Sequence, residues 1–574
     1  SIHSLLCCKS KMVDFANNLA GSSNENEPEI GLSKKRPDFV SNEKNQILYE
    51  TNSVESVPVK ELQKGLKNRH VQLIALGGAI GTGLFVGSGM ALYTCGPAAL
   101  FLSYIILSTI IWFVMNMLAE MATFLPVRGS GALLFINDYT DPSLGFAIGY
   151  NYWYCWSVII AAEVVASALV IQYWTTKVNI AVWLSVFLVF IFVVNMCPVQ
   201  VYGEIEFYFA GIKLVAMTGL IILGVVLFFG GGPNHDRLGF RYWQNGDAFH
   251  EHLVDGSTGR FLSFWTAIIR AGYSFITAPE LVVTCTGETS NPRKALPRCA
   301  NQFIYRLVFF YLLGSLVISV TAYSRSPALA TGSSDASASP FVLGIQNAGI
   351  PVLNHVINAV VLTSAASAGN SFLYIASRTL YSLLKKGSAP KLFSKVNRYG
   401  VPYYSVCMSF AVGCLSYLNV SSSSADVFTW LTNLTTVSGF VSWIFVTIAY
   451  LRWRKGIAIQ GLEDRLPYKT RFQPFGAYFV LVFISLITIT NGYAVFFDFN
   501  APDFIASYIT LPIVFALYTG HRAYSYFYLG RKRWLTPPEE FDFSNLEMVE
   551  YEQSQIIETE PKSRLDRILH SFVG

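Results

Sequence analysis

From Val71 onward the chain returns repeatedly to apolar runs of about twenty residues, the length that crosses a hydrocarbon core of about 30 Å. Such runs constrain the fold strongly, because lipid offers no partner to a bare peptide N–H or C=O. Only helices and closed barrels satisfy the whole backbone there. The runs are continuous, whereas barrel strands alternate over about ten residues. The expected class is therefore an all-α polytopic membrane protein. Composition agrees, since only 13% of the 574 residues are charged, against about 25% in soluble domains. The net charge of +5 is small for this length, and nucleic acid is not an expected partner. Nine cysteines, most in apolar segments, make no disulfide framework.

Twelve transmembrane helices are expected, over residues 71–94, 97–125, 143–172, 179–197, 203–230, 261–285, 303–323, 351–384, 402–418, 427–451, 474–497 and 502–523. Residues 1–65 are polar and read as a disordered tail. The twelve-span body is assigned to 66–525 and a second polar tail to 526–574. Met12 is the expected start of translation. Lysine and arginine crowd the loops around Arg293, Lys385, Lys395, Arg454 and Arg471, and are sparse in the alternate ones. The crowded side is expected to be cytoplasmic, which puts both termini there.

Run one contains "GGAIGTGLFVGSG", with six glycines at 77, 78, 81, 83, 87 and 89. Glycine costs a mid-helix position up to about 1 kcal/mol. Irregular backbone survives in a membrane only when buried in protein or lining a water-filled cavity. An unwound stretch around Gly77–Gly83 would leave N–H groups suited to a carboxylate and C=O groups suited to an ammonium. A zwitterion fits such a break. Run six offers a second one in "GYSFITAPELV", where Pro279 removes an N–H and frees a carbonyl near Phe275 and Ile276. Two breaks five helices apart suit a five-plus-five inverted repeat with broken helices 1 and 6, followed by two C-terminal helices. The competing readings are a close-packing glycine face and a simple proline kink.

On this reasoning Ala79, Ile80, Gly81, Thr82 and Gly83 from run one, with Ser274, Phe275, Ile276, Thr277 and Ala278 from run six, are the candidate substrate-binding residues. Ionisable groups inside a membrane are functional candidates because each costs at least about 2.5–3.5 kcal/mol at the centre. Lys213 in run five is foremost: it couples a proton, or it braces the carbonyls of run one. Glu280 either carries the proton or only holds the unwound segments. Glu163 in run three is a further coupling candidate, while Glu120 in run two reads as a packing or interfacial residue. Arg270 could attract a carboxylate, close an outer gate, or snorkel outward. Ser364 and Ser367 in run eight either supply hydroxyls near Lys213 or belong to dense packing.

The stretches "LKNRHVQLIALGGAIGTGLFVGSG", beginning at Leu66, and "GETSNPRKALPR", residues 287–298, resemble the signatures of fungal amino-acid permeases of the amino acid–polyamine–organocation superfamily. The resemblance extends over about residues 66 to 530 and is greatest to proline-type members. It implies plasma-membrane uptake of proline and small neutral amino acids, including 4-aminobutyrate, driven by the proton gradient. Proline-type members share the lysine of "FYFAGIKL", here Lys213. In bacterial transporters of this fold such a lysine takes the place of a sodium ion. Run ten supplies part of the site in this fold, which makes Phe440 and Trp443 candidate lids; a membrane-belt role is their alternative. One departure is Ala278-Pro279-Glu280, where most relatives have Gly-Thr-Glu. Relatives are removed through ubiquitin on tail lysines, which implies ubiquitin-ligase partners for Lys34, Lys35 and Lys44.

The rival reading is an amino-acid sensor of the same fold with little or no transport. Family sensors tend to carry a much longer N-terminal extension, so transport is the expected activity. An enzyme is not expected, for no HExxH, GxSxG or Cys/His metal spacing occurs. No cofactor or metal is expected.

Overall fold

The computed structural model describes residues 81–126, 131–244, 246–276, 278–287, 291–330, 339–350, 352–421 and 424–555. Among these every regular element is helical. Run one is described from Gly81: a π-helical stretch, Gly83–Gly87, leads into α1 (Ser88–Cys95). Gly96, at φ 89°, ends α1 in a backbone conformation open to glycine at little cost. Pro97 then opens α2 (Pro97–Phe124), at the position where a missing N–H costs nothing. A short α3 (Gly131–Tyr139) precedes α4 (Pro142–Gln172). The start of α4 is fixed by Asp141, whose carboxylate accepts the N–H groups of Ser143 and Leu144 at 3.1 and 3.2 Å.

The chain continues through α5 (Ile180–Met196), α6 (Val199–Phe228), α7 (Gly256–Phe275) and α8 (Ala278–Gly287). Next, α9 (Pro292–Arg306) passes through a π-helical stretch, Leu307–Leu312, into α10 (Leu313–Thr321). Then come α11 (Pro340–Asn347), α12 (Leu353–Lys385), α13 (Tyr403–Gly413) and α14 (Ser424–Ile459). The series ends with α15 (Phe475–Ile489), α16 (Ala501–Tyr508), α17 (Thr510–Phe527) and α18 (Leu546–Gln555).

Each of the twelve apolar runs meets a helix, but among the described residues seven are long and apolar enough to cross a membrane. The number is eight if α16 and α17, bent by 46°, form one crossing. The difference has local causes. Run six is split after Phe275. Run nine tightens from α13 into a 3-10 turn, Cys414–Val420. Run four is a helix of 17 residues, and run one is described only from Gly81.

The middle of the bundle is α4, buried along nearly its whole apolar length and packed against α12 and α14. A helix apolar all round belongs in such a place. By contrast, α6 and α15 keep apolar faces outward, with Val215, Ile222, Tyr478 and Val482 exposed as lipid contact requires.

After α17 the chain returns across the face that carries the basic loops. The Thr536 N–H donates to the Thr140 carbonyl at 3.0 Å, and the Arg452 guanidinium donates to the carbonyls of Tyr139 and Thr536. The Phe541 ring sits where a side chain on Gly456 would stand. The Phe543 ring meets Phe124 edge-on at 5.4 Å. Glu550 pairs with Arg465 at 2.5 Å, and Gln553 accepts from Arg293 at 3.1 Å. The segment thus ties α2, α3, α9 and α14 together.

Candidate functional site

The break in run six lies at Ile276, whose φ −55° and ψ 136° take the chain out of the helix. The helix resumes at Ala278, so Pro279 stands in the first turn, where its missing N–H is no loss. Thr277, between the two halves, lies outside the described residues, as do Ala79 and Ile80 of run one.

Facing this break is the start of the described part of run one. A Cβ built on Gly83 would stand 2.6 Å from the Cα and 2.9 Å from the Oγ of Ser274. Only glycine permits this approach of two backbones. Gly81 lies against α4, where an added Cβ would meet Glu163 Oε1 at 3.2 Å. Thr82, fully buried, donates its hydroxyl to the same oxygen at 3.0 Å. Tyr273 donates to it from α7 at 3.4 Å. Glu163 is therefore held from both broken runs at once. Its Oε2 is buried and has no hydrogen-bond partner among the described residues.

Ser274 is already engaged on its far side. Its hydroxyl shares a 2.8 Å hydrogen bond with Tyr104, and its carbonyl accepts from the Tyr311 hydroxyl at 3.1 Å. The Phe275 ring stacks on Tyr311 at 4.5 Å and leans on Tyr104 at 5.4 Å. Its side chain is thus a wedge against α2 and the π-helical stretch, and only its backbone belongs to the break. The Ile276 side chain fills the space beside Gly439 of α14. Ala278 is buried at the head of α8.

Lys213 is fully buried on α6 and interacts electrostatically with Glu206 and Glu163. Glu206 accepts the Ser367 hydroxyl of α12 at 2.6 Å. The site thus brings two carboxyl groups and one amine together in a buried interior. Glu280 lies apart from them: its Oε1 accepts Trp443 Nε1 at 2.5 Å and the Tyr152 hydroxyl at 3.1 Å. Glu120 is farther along, bonded by Tyr450 at 2.6 Å and by Thr470.

On the opposite side of the break, Arg270 Nη1 donates to Thr94 Oγ1 at 2.7 Å and to the Met90 carbonyl at 3.2 Å. It fastens α7 to α1 and is not brought to Glu163. Phe440 packs onto Gly272, one turn above the break, and its ring lies 5.8 Å from that of Trp443.

The sequence reading missed Glu206, Tyr104, Tyr273 and Tyr311. Glu206 had a signal: it stands seven residues before Lys213, two turns along one helix face. The tyrosines had none, since aromatic residues are common throughout the chain.

Comparison with known proteins places the chain in a family. The chain matches the Amino acid permease family over residues 70–532. It is 52% identical over 513 residues to a proline-specific permease of Emericella nidulans, covering 88% of this chain and 92% of that protein. It is 49% identical over 514 residues to a proline-specific permease of Saccharomyces cerevisiae, covering 88% and 80%. Among solved structures it is similar to a manganese transporter of Eremococcus coleocola, with TM-score 0.51 and 15% identity over 80% of this chain and 94% of that one. That likeness concerns the fold alone. With the family matched along most of its length and half its residues shared with such relatives, the chain belongs to the amino acid permease family.

Proposed function

We propose that this chain carries proline and small neutral amino acids, including 4-aminobutyrate, into the cell across the plasma membrane by proton-coupled alternating access. Relatives about half identical over most of the chain are named proline-specific permeases, which supports proline as substrate. In this reading the twelve runs all cross the membrane as a five-plus-five inverted repeat with two added helices, and both termini are cytoplasmic. The body spans 66–525, and the tails, with Lys34, Lys35 and Lys44, are where ubiquitin ligases act.

The substrate lies between the two breaks. The helix that begins near Thr82 offers its N-terminal N–H groups to the carboxylate, and the C-terminal end of α7 offers carbonyls to the ammonium. Proline's secondary ammonium has two N–H donors, so it needs fewer acceptors than a primary one. The Ser274 carbonyl is already committed to Tyr311, which suits a substrate of low donor count.

The single observation that carries the coupling is the position of Glu163. Its Oε1 receives Thr82 and Tyr273, one from each broken run, while Lys213 acts on it electrostatically. A proton gained there weakens the carboxylate's hold on both runs, so protonation and movement are linked through one atom. One charge crossing 100 mV supplies about 2.3 kcal/mol, and a pH unit adds about 1.4 kcal/mol. Arg270 and Phe440 form the outer closure, and Trp443 holds Glu280 below the break.

The test is radiolabelled proline uptake in permease-deficient yeast, with a competition panel at two external pH values. Uptake should rise with external acidity, ignore sodium, and be inhibited by alanine and 4-aminobutyrate but little by arginine or glutamate. Strong arginine transport without proline transport overturns the substrate. Proline binding without flux would make the chain a sensor.

A further inference from the structure

We propose that Glu206 is the inner proton acceptor of the transport cycle, taking its proton from Lys213. This rests on the proton-coupled reading above. Glu206 and Lys213 lie two turns apart on α6, a rise of about 10 Å. Helical side chains lean toward the N-terminus, so the long Lys213 stem leans back toward Glu206. Both groups are fully buried, and they interact electrostatically. Elsewhere α6 shows lipid a face of Val215 and Ile222. A carboxylate on such a helix is costly unless it serves the interior.

The environment of Glu206 is built for a carboxyl group. Ser367 donates to Oε1 at 2.6 Å, while Oε2 is buried with no hydrogen-bond partner among the described residues. Asn195 of α5 donates to Asn370 Oδ1 at 2.9 Å, which fixes the Asn370 amide one turn beyond Ser367. Tyr202 reaches Ser371 at 3.2 Å. Glu204 and Lys213 share its own helix. Tyr374 and Arg378 come from α12, with the Arg378 guanidinium over the Tyr374 ring. Neither α5 nor α10 brings an ionisable side chain.

The charges of the three groups call for one proton among them. Glu163, Glu206 and Lys213 fully ionised leave one net negative charge away from water, which is unfavourable. One added proton makes the group neutral, and it can reside on either carboxylate. In transfer, an N–H bond of the Lys213 ammonium breaks, its electron pair stays on Nζ, and an O–H bond forms at Glu206 Oε2. Lys213 recovers its charge by taking the proton from Glu163. The sum moves one proton from the carboxylate at the substrate breaks to the carboxylate at α12, with total charge unchanged.

The test uses the full chain in proteoliposomes of known insertion orientation. Wild-type concentrative proline uptake should quicken as the lumen is made more alkaline. Glu206→Gln should lower concentrative uptake by about tenfold or more, lower proline counterflow much less, and flatten the dependence on lumenal pH. Glu206→Asp should restore that dependence with a shifted midpoint. A Glu206→Gln protein that concentrates proline with the wild-type dependence overturns the proposal. If Glu206→Gln loses counterflow as well, Glu206→Asp and Ser367→Ala decide. A shifted lumenal midpoint in either supports the role, and unchanged midpoints, or loss of all transport in both, assign Glu206 to structure. A wild-type protein indifferent to the pH gradient refutes proton coupling itself, and no variant is needed to see it.

Discussion

A β-carbon on Gly83 would stand 2.6 Å from the Cα of Ser274, so two broken runs meet backbone to backbone with no side chain between them. A backbone neighbour cannot swing aside as a side-chain tip can. Gly83→Val should therefore abolish uptake while surface abundance stays near normal. Gly83→Ala should leave a small residue of it. Uptake by a surface-localised Gly83→Val protein at the wild-type rate would show that the two runs separate freely.

Lys213→Ala should uncouple. The protein should lose concentrative uptake by about tenfold or more, because one pH unit alone is worth a factor of ten, while exchange of internal for external proline survives in part. Counterflow and net uptake measured on the same vesicles check it. Wild-type accumulation with unchanged pH dependence would make the lysine a brace and leave the proton route to Glu163 or Glu280.

Trp443→Phe keeps a ring beside Phe440 but removes the N–H that meets Glu280 at 2.5 Å. A buried carboxylate deprived of a donor costs about 1–3 kcal/mol. We expect a lower melting temperature and slower uptake, with Trp443→Ala worse on both. An unchanged melting temperature in Trp443→Phe would mean that Tyr152, at 3.1 Å, satisfies the carboxylate alone.

His250, in the loop between α6 and α7, bonds the Tyr93 carbonyl through Nδ1 at 2.8 Å and the Ser324 hydroxyl through Nε2 at 3.1 Å. A carbonyl only accepts, so Nδ1 carries a proton, while the Ser324 hydroxyl can donate to or accept from Nε2. Burial holds its pKa below the ordinary histidine value. As pH falls, the unfolded chain binds its proton first. The stability from this latch is therefore complete above about pH 6.5 and declines as pH drops below that value. The wild-type melting temperature should fall over that window more steeply than that of His250→Gln. Parallel curves would rule the latch out.

Run lengths and loop charges made the helical class and the positions of most helices readable, because lipid leaves the backbone few choices. The break in run six was readable because Pro279 has a local steric signature. The site's wiring was not. Tyr311 reaches the Ser274 carbonyl across 37 residues, and Thr82 reaches Glu163 across 81. Such pairings depend on which helix faces lie together, and a periodicity confined to one run carries no record of its neighbour. The packing of the Phe275 ring on Tyr311 is a pairing of the same kind.

The segment from Thr536 to Gln555 has a consequence for biosynthesis. Phe541 and Phe543 fill the hollow bounded by Phe124, Tyr139 and Gly456, yet they leave the ribosome after every bundle helix has been made. The face bearing the basic loops is therefore the last part of the molecule to be finished. A chain cut before Phe541 would carry all its long apolar helices and still leave the space beside Phe124, Tyr139 and Gly456 unfilled.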